Sequence, residues 1–324
     1  MALIENSKLY SGDQLDSIFF RPLMNDKSIQ DQGIRVLYNM PVPTTIHMWG
    51  AADGVLKPYK AGWQGGAEPL RATKTLELAK VKAESAFDAE DYYSQVYQHI
   101  VARADVNLQD LSGTDLEQAE TAIFKAAIAE DLRVTTWIGN TAATGAHNTF
   151  DGILCKVQKA FEESETRDVE FYSDEIASYT VVNAINQVWE SAPEQLKALK
   201  RDGQLVFYVS SDFYRAYEEW IYSQDVANGG VACTTEAYST LYYRGIPLED
   251  IGVSAQQLIK SGLGVGQCLL TDRRNLVLAL NTADYPDAEV RMWYNPDQME
   301  NRQRAVFLAA ADFIDFDLVA LGRS

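Results

Sequence analysis

Residues 114–138 limit this chain more than any other stretch, because they form a predicted helix with too much apolar surface to stand alone. Thr114-Asp-Leu-Glu117 is a capping box, in which the threonine oxygen and the glutamate each accept from a backbone N–H that the helix itself cannot pair. Beyond it Leu116, Ile123, Ala127 and Val134 form one stripe, and Phe124, Ile128 and Leu132 a second close by. An apolar arc that wide must lie across a sheet or between layers. Gly139 stops the helix, a Thr/Ala/Gly-rich loop follows, and Phe150-Asp-Gly-Ile-Leu154 starts a new segment.

The matching sheet is expected in the C-terminal third. Asn275-Leu-Val-Leu-Ala-Leu280, Val290-Arg-Met-Trp-Tyr294 and the run from Ala305 to Val319 read as strands, with an acidic turn at Asp284-Tyr-Pro-Asp287. They carry almost no catalytic chemistry and point to a building block. Asp312, Asp315 and Asp317 are a dense carboxylate group; alternation places Asp315 and Asp317 on one wet face, with Ile314, Phe316 and Leu318 on the other. A divalent cation bridging that face to a neighbour needs several converging oxygens, and no metal is assigned.

Residues 1–33 read as an extended arm with one short helix near 13–20. Ile34-Arg-Val-Leu-Tyr-Asn-Met40, a Pro41-Val-Pro43 break and Thr44-Thr-Ile-His-Met-Trp49 read as strand, break, strand. A Gly- and aromatic-rich stretch then leads into 71–83, which alternates in part, so a long two-stranded excursion is expected. Residues 89–104 are helical in pattern. In the middle of the chain, helices over 178–192 and 193–201, an Asp202-Gly203 turn, the strand Leu205-Val-Phe-Tyr-Val209 and a helix capped by Ser210-Ser-Asp212 make a compact α/β insertion.

Length and composition, 324 residues at 47% hydrophobic and 23% charged, suit a globular chain with a large core. No apolar run approaches the roughly 20 residues that cross a bilayer, and Glu5 and Lys8 fall where a signal peptide needs an apolar core, so a soluble protein made in the cytosol is expected. A net charge of -18 opposes general binding to nucleic acid or anionic membrane, yet suits a wall that encloses a polyanion without sticking to it. Against it, residues 55–83 hold Lys57, Lys60, Arg71, Lys74, Lys80 and Lys82 with only Glu68 and Glu77, +4 here and -22 elsewhere. Such a ribbon, with Trp63 at its tip, is a candidate inter-subunit contact for the acidic body of an identical neighbour. The alternative is a solvated hairpin whose lysines serve solubility and edge protection.

Catalytic patterns are lacking. His47, His99 and His147 stand in different segments, and Cys155, Cys233 and Cys268 are far apart, which suits structural histidines and small core thiols. Gly262-Leu-Gly-Val-Gly266 has a helix before it and a strand after it, the reverse of a dinucleotide loop, so it reads as a helix-to-strand connection. No catalytic residue and no cofactor is assigned.

The order of arm, hairpin excursion, long helix ending in Trp137-Ile-Gly139, Phe150-Asp-Gly-Ile153, α/β insertion and closing strands resembles the major capsid proteins of tailed bacteriophages, the Hong Kong 97 type. Leu205-Val-Phe-Tyr-Val-Ser-Ser-Asp-Phe-Tyr214, Tyr243-Arg-Gly-Ile-Pro247, Asn275-Leu-Val-Leu-Ala-Leu280 and the strands through Leu318-Val319 carry the likeness. The resemblance implies an α+β fold. It has an N-terminal arm over 1–33, a peripheral domain over 34–168 and 266–324 with an extended loop over 44–86 and a spine helix over 114–138, and an axial domain over 169–265. It also implies pentamers and hexamers in an icosahedral head around double-stranded DNA, with scaffolding, portal and decoration proteins as partners and the virion as location. Two other uses stay open at this point: an encapsulin-like bacterial compartment shell, and an acidic cytosolic enzyme built on Asp315 and Asp317. The segment before Ile34 is shorter than the cleaved scaffolding regions of some members, and no Lys to Asn cross-link is assigned.

Overall fold

The computed structural model describes residues 29, 31–38, 44–49, 56, 58–60, 71–88, 115–164, 170–171, 177, 180–227, 241–281 and 290–323. Its first part runs β1 (Arg35–Tyr38), β2 (Thr44–Trp49), β3 (Arg71–Leu76), β4 (Ala79–Asp88), α1 (Asp115–Ile138), α2 (Ile153–Glu162) and β5 (Glu170–Phe171). The middle holds α3 (Val181–Ser191), α4 (Glu194–Ala198), β6 (Leu205–Val209), α5 (Ser211–Ala227), β7 (Leu241–Tyr243), β8 (Ile246–Asp250) and α6 (Ala255–Lys260). The chain closes with β9 (Gln267–Asp272), β10 (Leu276–Asn281), β11 (Arg291–Asn295), β12 (Glu300–Phe313) and β13 (Val319–Arg323). The helical pattern over 89–104, the capping threonine at 114 and the short helix near 13–20 lie outside the described residues.

Strand β12 organises a five-stranded sheet. Along one side it pairs antiparallel with β4 over Glu300–Ala309; along the other, β11 and β10 lie end to end against it, and β1 runs parallel beside β10. Its odd-numbered side chains, Phe307, Ala309, Ala311 and Phe313, join a core with Trp137 and Ile138 of α1 and Ile153, Leu154 and Val157 of α2. A strand with both faces covered reads as a continuous apolar run, which Ala305-Val-Phe-Leu-Ala-Ala-Ala311 is.

The second sheet has the order β5-β13-β9-β6-β8-β7. Every residue of β6 is buried, because Val206 and Tyr208 face the core under α1 and α2 while Leu205, Phe207 and Val209 face α3 and α5. Strands β13 and β9, which follow residue 265, are its second and third strands, between β5 and β6. At its far end, β7 and β8 meet in a two-residue turn with φ of 51° at Arg244 and 80° at Gly245, the left-handed pair that a tight hairpin demands.

Helix α1 lies across β11 and β12 as its two stripes require, but among the described residues the apolar stripes are fully buried only in its last turns. Val134, Trp137 and Ile138 are buried, whereas Phe124 and Ile128 are half-buried and Ala127 is exposed. Arg133, also buried, reaches the neighbouring loop through Ile251 O and Gly252 O while pairing with Glu130. Gln32, at the end of the expected arm, is a buried hub: its Oε1 accepts from Trp137 Nε1 at 2.8 Å and its carbonyl accepts from the Tyr208 hydroxyl at 2.6 Å. Trp137 and Tyr208 touch, with ring centroids 4.9 Å apart.

Tyr217 of α5 supplies an alkaline probe of the second core. Burial, and then the neighbouring Tyr243, push its phenol from the ordinary 10.0 up to about 12, and its hydroxyl donates to Tyr242 O at 3.0 Å. The folded value is raised, so the stabilisation is complete below pH 10 and is lost as pH climbs toward 12. Denaturation midpoints measured across that window are expected to fall more steeply for the native chain than for Tyr217→Phe; equal slopes would show that Tyr217 is solvated.

Candidate functional site

The expected basic ribbon divides into three. Strands β2 and β3 do form a two-stranded antiparallel ribbon, from Thr44 opposite Leu76 to Trp49 opposite Arg71. Its root is pinned: Leu76 is buried against Val277 and Ala279 of β10, with Ile46 and Leu37 packed alongside. Lys60 is exposed beyond the ribbon, with Tyr59 94% and Leu56 97% exposed nearby. Lys57 and Trp63 lie outside the described residues, and of Arg71 the backbone pairing alone is described.

Lys74 does not point at a neighbour. Its ammonium pairs with Asp312 Oδ1 at 2.6 Å, donates to Phe313 O and sits 3.7 Å from the centroid of the Phe313 ring. Lys156 of α2 holds the other oxygen of Asp312 at 3.0 Å, and the Phe313 N–H donates to Asp312 Oδ1 at 2.8 Å. One carboxylate thus ties the ribbon, a helix and β12 together. A carboxylate inside the run Ala309-Ala-Ala-Asp-Phe-Ile314 must be buried with a cation or not at all, and that is the signal by which sequence reasoning could have found it.

Lys80 and Lys82 are not part of the ribbon either. The chain turns after β3, and β4 joins the main sheet beside β12. The cause lies in β4's alternation: Val81 packs toward the core under α1, leaving Lys80, Lys82 and Glu84 on the open face, where Lys82 Nζ pairs with Glu84 Oε2 at 2.8 Å.

The carboxylates at 315 and 317 are also placed differently from expectation. Strand β12 ends at Phe313, and Phe316–Leu318 is a 3-10 turn whose N-cap is Asp315, Oδ1 accepting from Asp317 N at 2.9 Å. Buried Asn275 imposes the turn, accepting through Oδ1 from Asp315 N at 2.8 Å and donating to Asp315 O at 2.9 Å. Asp312, the third member of the group, faces inward between Lys74 and Lys156. Among the described residues no group of three or more His, Cys, Asp or Glu side chains is placed to hold a metal ion.

Of the histidines, His47 is exposed on β2, His147 Nδ1 lies 3.1 Å from Thr135 Oγ1, and His99 is outside the described residues. Cys155 and Cys268 are buried free thiols, as expected of core residues, and Cys233 is undescribed. Gly262 and Gly264, at φ 74° and 90°, carry the chain from α6 to β9, the connection that their order implied. A groove of about 390 Å³ runs between α1 and β4, lined by Phe124, Ile128, Leu132, Val81 and Phe307. Among the described residues no helix is long and apolar enough to cross a membrane.

No family model and no curated protein matches the chain. Solved structures do match it over nearly their full length. The capsid of an empty GTA particle aligns at 13% identity over 94% of this chain and 98% of that one, with a TM-score of 0.56. The satellite phage P4 procapsid that includes the size determination (Sid) protein aligns at 10% identity over 98% and 92%, with a TM-score of 0.57. A structure of Mycobacterium phage Ogopogo aligns at 11% identity over 91% of each chain, with a TM-score of 0.52. The fold is therefore that of phage capsid chains, the α+β Hong Kong 97 type that the order of segments resembles.

Proposed function

We propose that this chain is a structural shell subunit: a major capsid protein that assembles with its own copies, as pentamers and hexamers, into the icosahedral head of a tailed phage around double-stranded DNA. The supporting observation is the two-way coverage of 91% or more with capsid chains. In this reading residues 34–168 and 266–324 form the peripheral domain and 169–265 the axial domain, with β9 and β13 joining the two through the shared sheet. The ribbon β2-β3, carrying Lys57, Lys60, Trp63 and Arg71 on or beyond it, reaches a neighbouring subunit. Lys74 serves instead as its anchor. The protein performs no catalysis, is made in the host cytoplasm, ends in the virion, and meets scaffolding, portal and decoration proteins there.

Sedimentation velocity tests the reading. Across a series of concentrations and salts, the purified chain is expected to pass from monomer to discrete species of capsomer size and larger. A single monomer boundary under every condition would overturn it.

A further inference from the structure

Strand β4 is the outermost strand on its side of the five-stranded sheet. It pairs with β12 without a bulge along its 10 residues, and among the described residues no strand lies against its other edge. Burial records the open flank: Ala305 and Phe307 of β12 are buried, whereas Ala83 and Val81, directly opposite them on the same face, are half-buried. The groove of about 390 Å³ lies here, between Phe124, Ala127 and Ile128 of α1 and four consecutive residues of β4, Val81–Glu84. A wall of consecutive strand residues is a backbone edge, because a strand seen from one face shows alternate residues alone. Among the described residues the backbone of this stretch makes no hydrogen bond beyond its pairing with β12. What such an edge accepts is another strand.

Natural edges are guarded by proline, by bulges or by charges that repel a second copy. β4 has neither proline nor bulge, and its even-numbered positions run Lys80, Lys82, Glu84, Ala86, Asp88, cations first and carboxylates after. Antiparallel to itself, that order is complementary. We propose that β4 pairs with β4 of a second copy across a two-fold axis at Ala83, joining the two sheets into one. This register sets Lys82 opposite Glu84 twice and Lys80 opposite Ala86, diagonal to Glu84 and Asp88 of the other copy. Sliding by two residues either way sets Lys82 against Lys82 or Glu84 against Glu84. Within one copy Lys82 Nζ already pairs with Glu84 Oε2 at 2.8 Å, with both side chains more than half exposed, so partners are exchanged and the charges act by selecting the register. On the other face Val81 comes opposite Ser85 and Ala83 opposite Ala83, side chains small enough to meet inside the groove. The inference rests on the shell-subunit reading: rings built by head-to-tail contacts close into a shell only where further contacts join ring to ring, and an isologous strand edge is one.

The test pairs charge reversal with a thiol on the axis. In Lys82→Glu and in Glu84→Lys, each alone, the concentration at which assemblies first sediment is expected to rise about tenfold or more. An equal mixture of the two variants is expected to return it to near the native value; neither chain regains its own pair by mixing, so recovery reports a contact between copies. Independently, Ala83→Cys, which keeps both charges and decides if the reversals fail to fold, is expected to form a disulfide with its counterpart in a second copy when oxidised with copper phenanthroline, as mapped by mass spectrometry. Ala86→Cys is the control, since the register separates it from its counterpart by six residues of strand, about 20 Å, and it is expected not to couple. If the native chain assembles, but the mixture is as poor as either variant and Ala83→Cys couples no more than Ala86→Cys, the strand pairing is overturned while the shell reading stands. Coupling of Ala83→Cys to a native cysteine of another copy would show that a different segment fills the edge, and would also overturn it. Copy-to-copy coupling at Ala83→Cys in a chain that stops at dimers would keep the pairing and remove the shell reading.

Discussion

Gly139→Ala and Gly152→Ala are each expected to destabilise the folded chain by about 3 kcal/mol, at the upper end for overpacking. Neither glycine is required for an unusual φ; what they permit is contact. The Gly152 N–H donates to Gly139 O at 2.8 Å, bringing the end of α1 against the start of α2. A Cβ on Gly139 would lie 2.2 Å from Phe150 O and 2.6 Å from Thr135 O, and one on Gly152 would lie 2.6 Å from Thr135 O and 2.7 Å from Gly139 N. All of these are backbone atoms, so no side-chain rotation relieves the overlap and the helices must separate. Separation would open the core around Trp137 and Ile153, both fully buried. Gly203→Ala is the control: its Cβ would meet nothing within 4 Å, but its φ of 68° strains any L side chain, and about 1 to 2 kcal/mol is expected. Denaturant midpoints of the unassembled chain rank the three. An equal loss at Gly139 and Gly203 would show that the junction relaxes and is not close-packed.

Asp312→Ala is expected to lower stability by about 3 kcal/mol, because it removes the anion from two partly buried cations. The Asp312 side chain is 8% exposed, and Lys74 and Lys156 are each 26% exposed, so water softens the loss without abolishing it. Lys74→Met alone leaves the carboxylate with Lys156 and the Phe313 N–H, and about 2 kcal/mol is expected from the lost charged hydrogen bonds. Replacing all three, Lys74→Met/Lys156→Met/Asp312→Leu, should recover most of the stability, since well-packed apolar side chains match or surpass buried ion pairs. A native-like melt for Asp312→Ala would mean that apolar contacts of Leu76 and Ile46 hold the ribbon root unaided.

The parts of this fold legible from sequence are those whose cause is local. Leu205-Val-Phe-Tyr-Val209 reads as a strand because it is a short apolar run after an Asp202-Gly203 turn, and the structure buries it on both faces. Trp137-Ile-Gly139 and Phe150-Asp-Gly-Ile153 read as a stop and a start, though that the two glycines touch appears only in three dimensions. What escaped has long-range causes. Alternation over 71–83 identifies strands but not partners, so it places β4 in the ribbon, whereas β4 pairs with β12, more than 200 residues on. The Lys74 to Asp312 pair spans 238 residues. Asp315 and Asp317 alternate with apolar residues as a strand would, and the Asn275 side chain, 40 residues earlier, holds that stretch in a turn together with the Asp315 cap. The candidate contact residues divided for the same reason: charge along the sequence is visible, whereas the face that register gives each lysine is not.

Electron microscopy of the purified protein shows whether this chain builds a shell. Rings of capsomer size together with closed shells, or tubes where curvature is lost, are expected in fields prepared over a range of salt. Monodisperse small particles at every salt concentration, with no rings, shells or tubes, would contradict it.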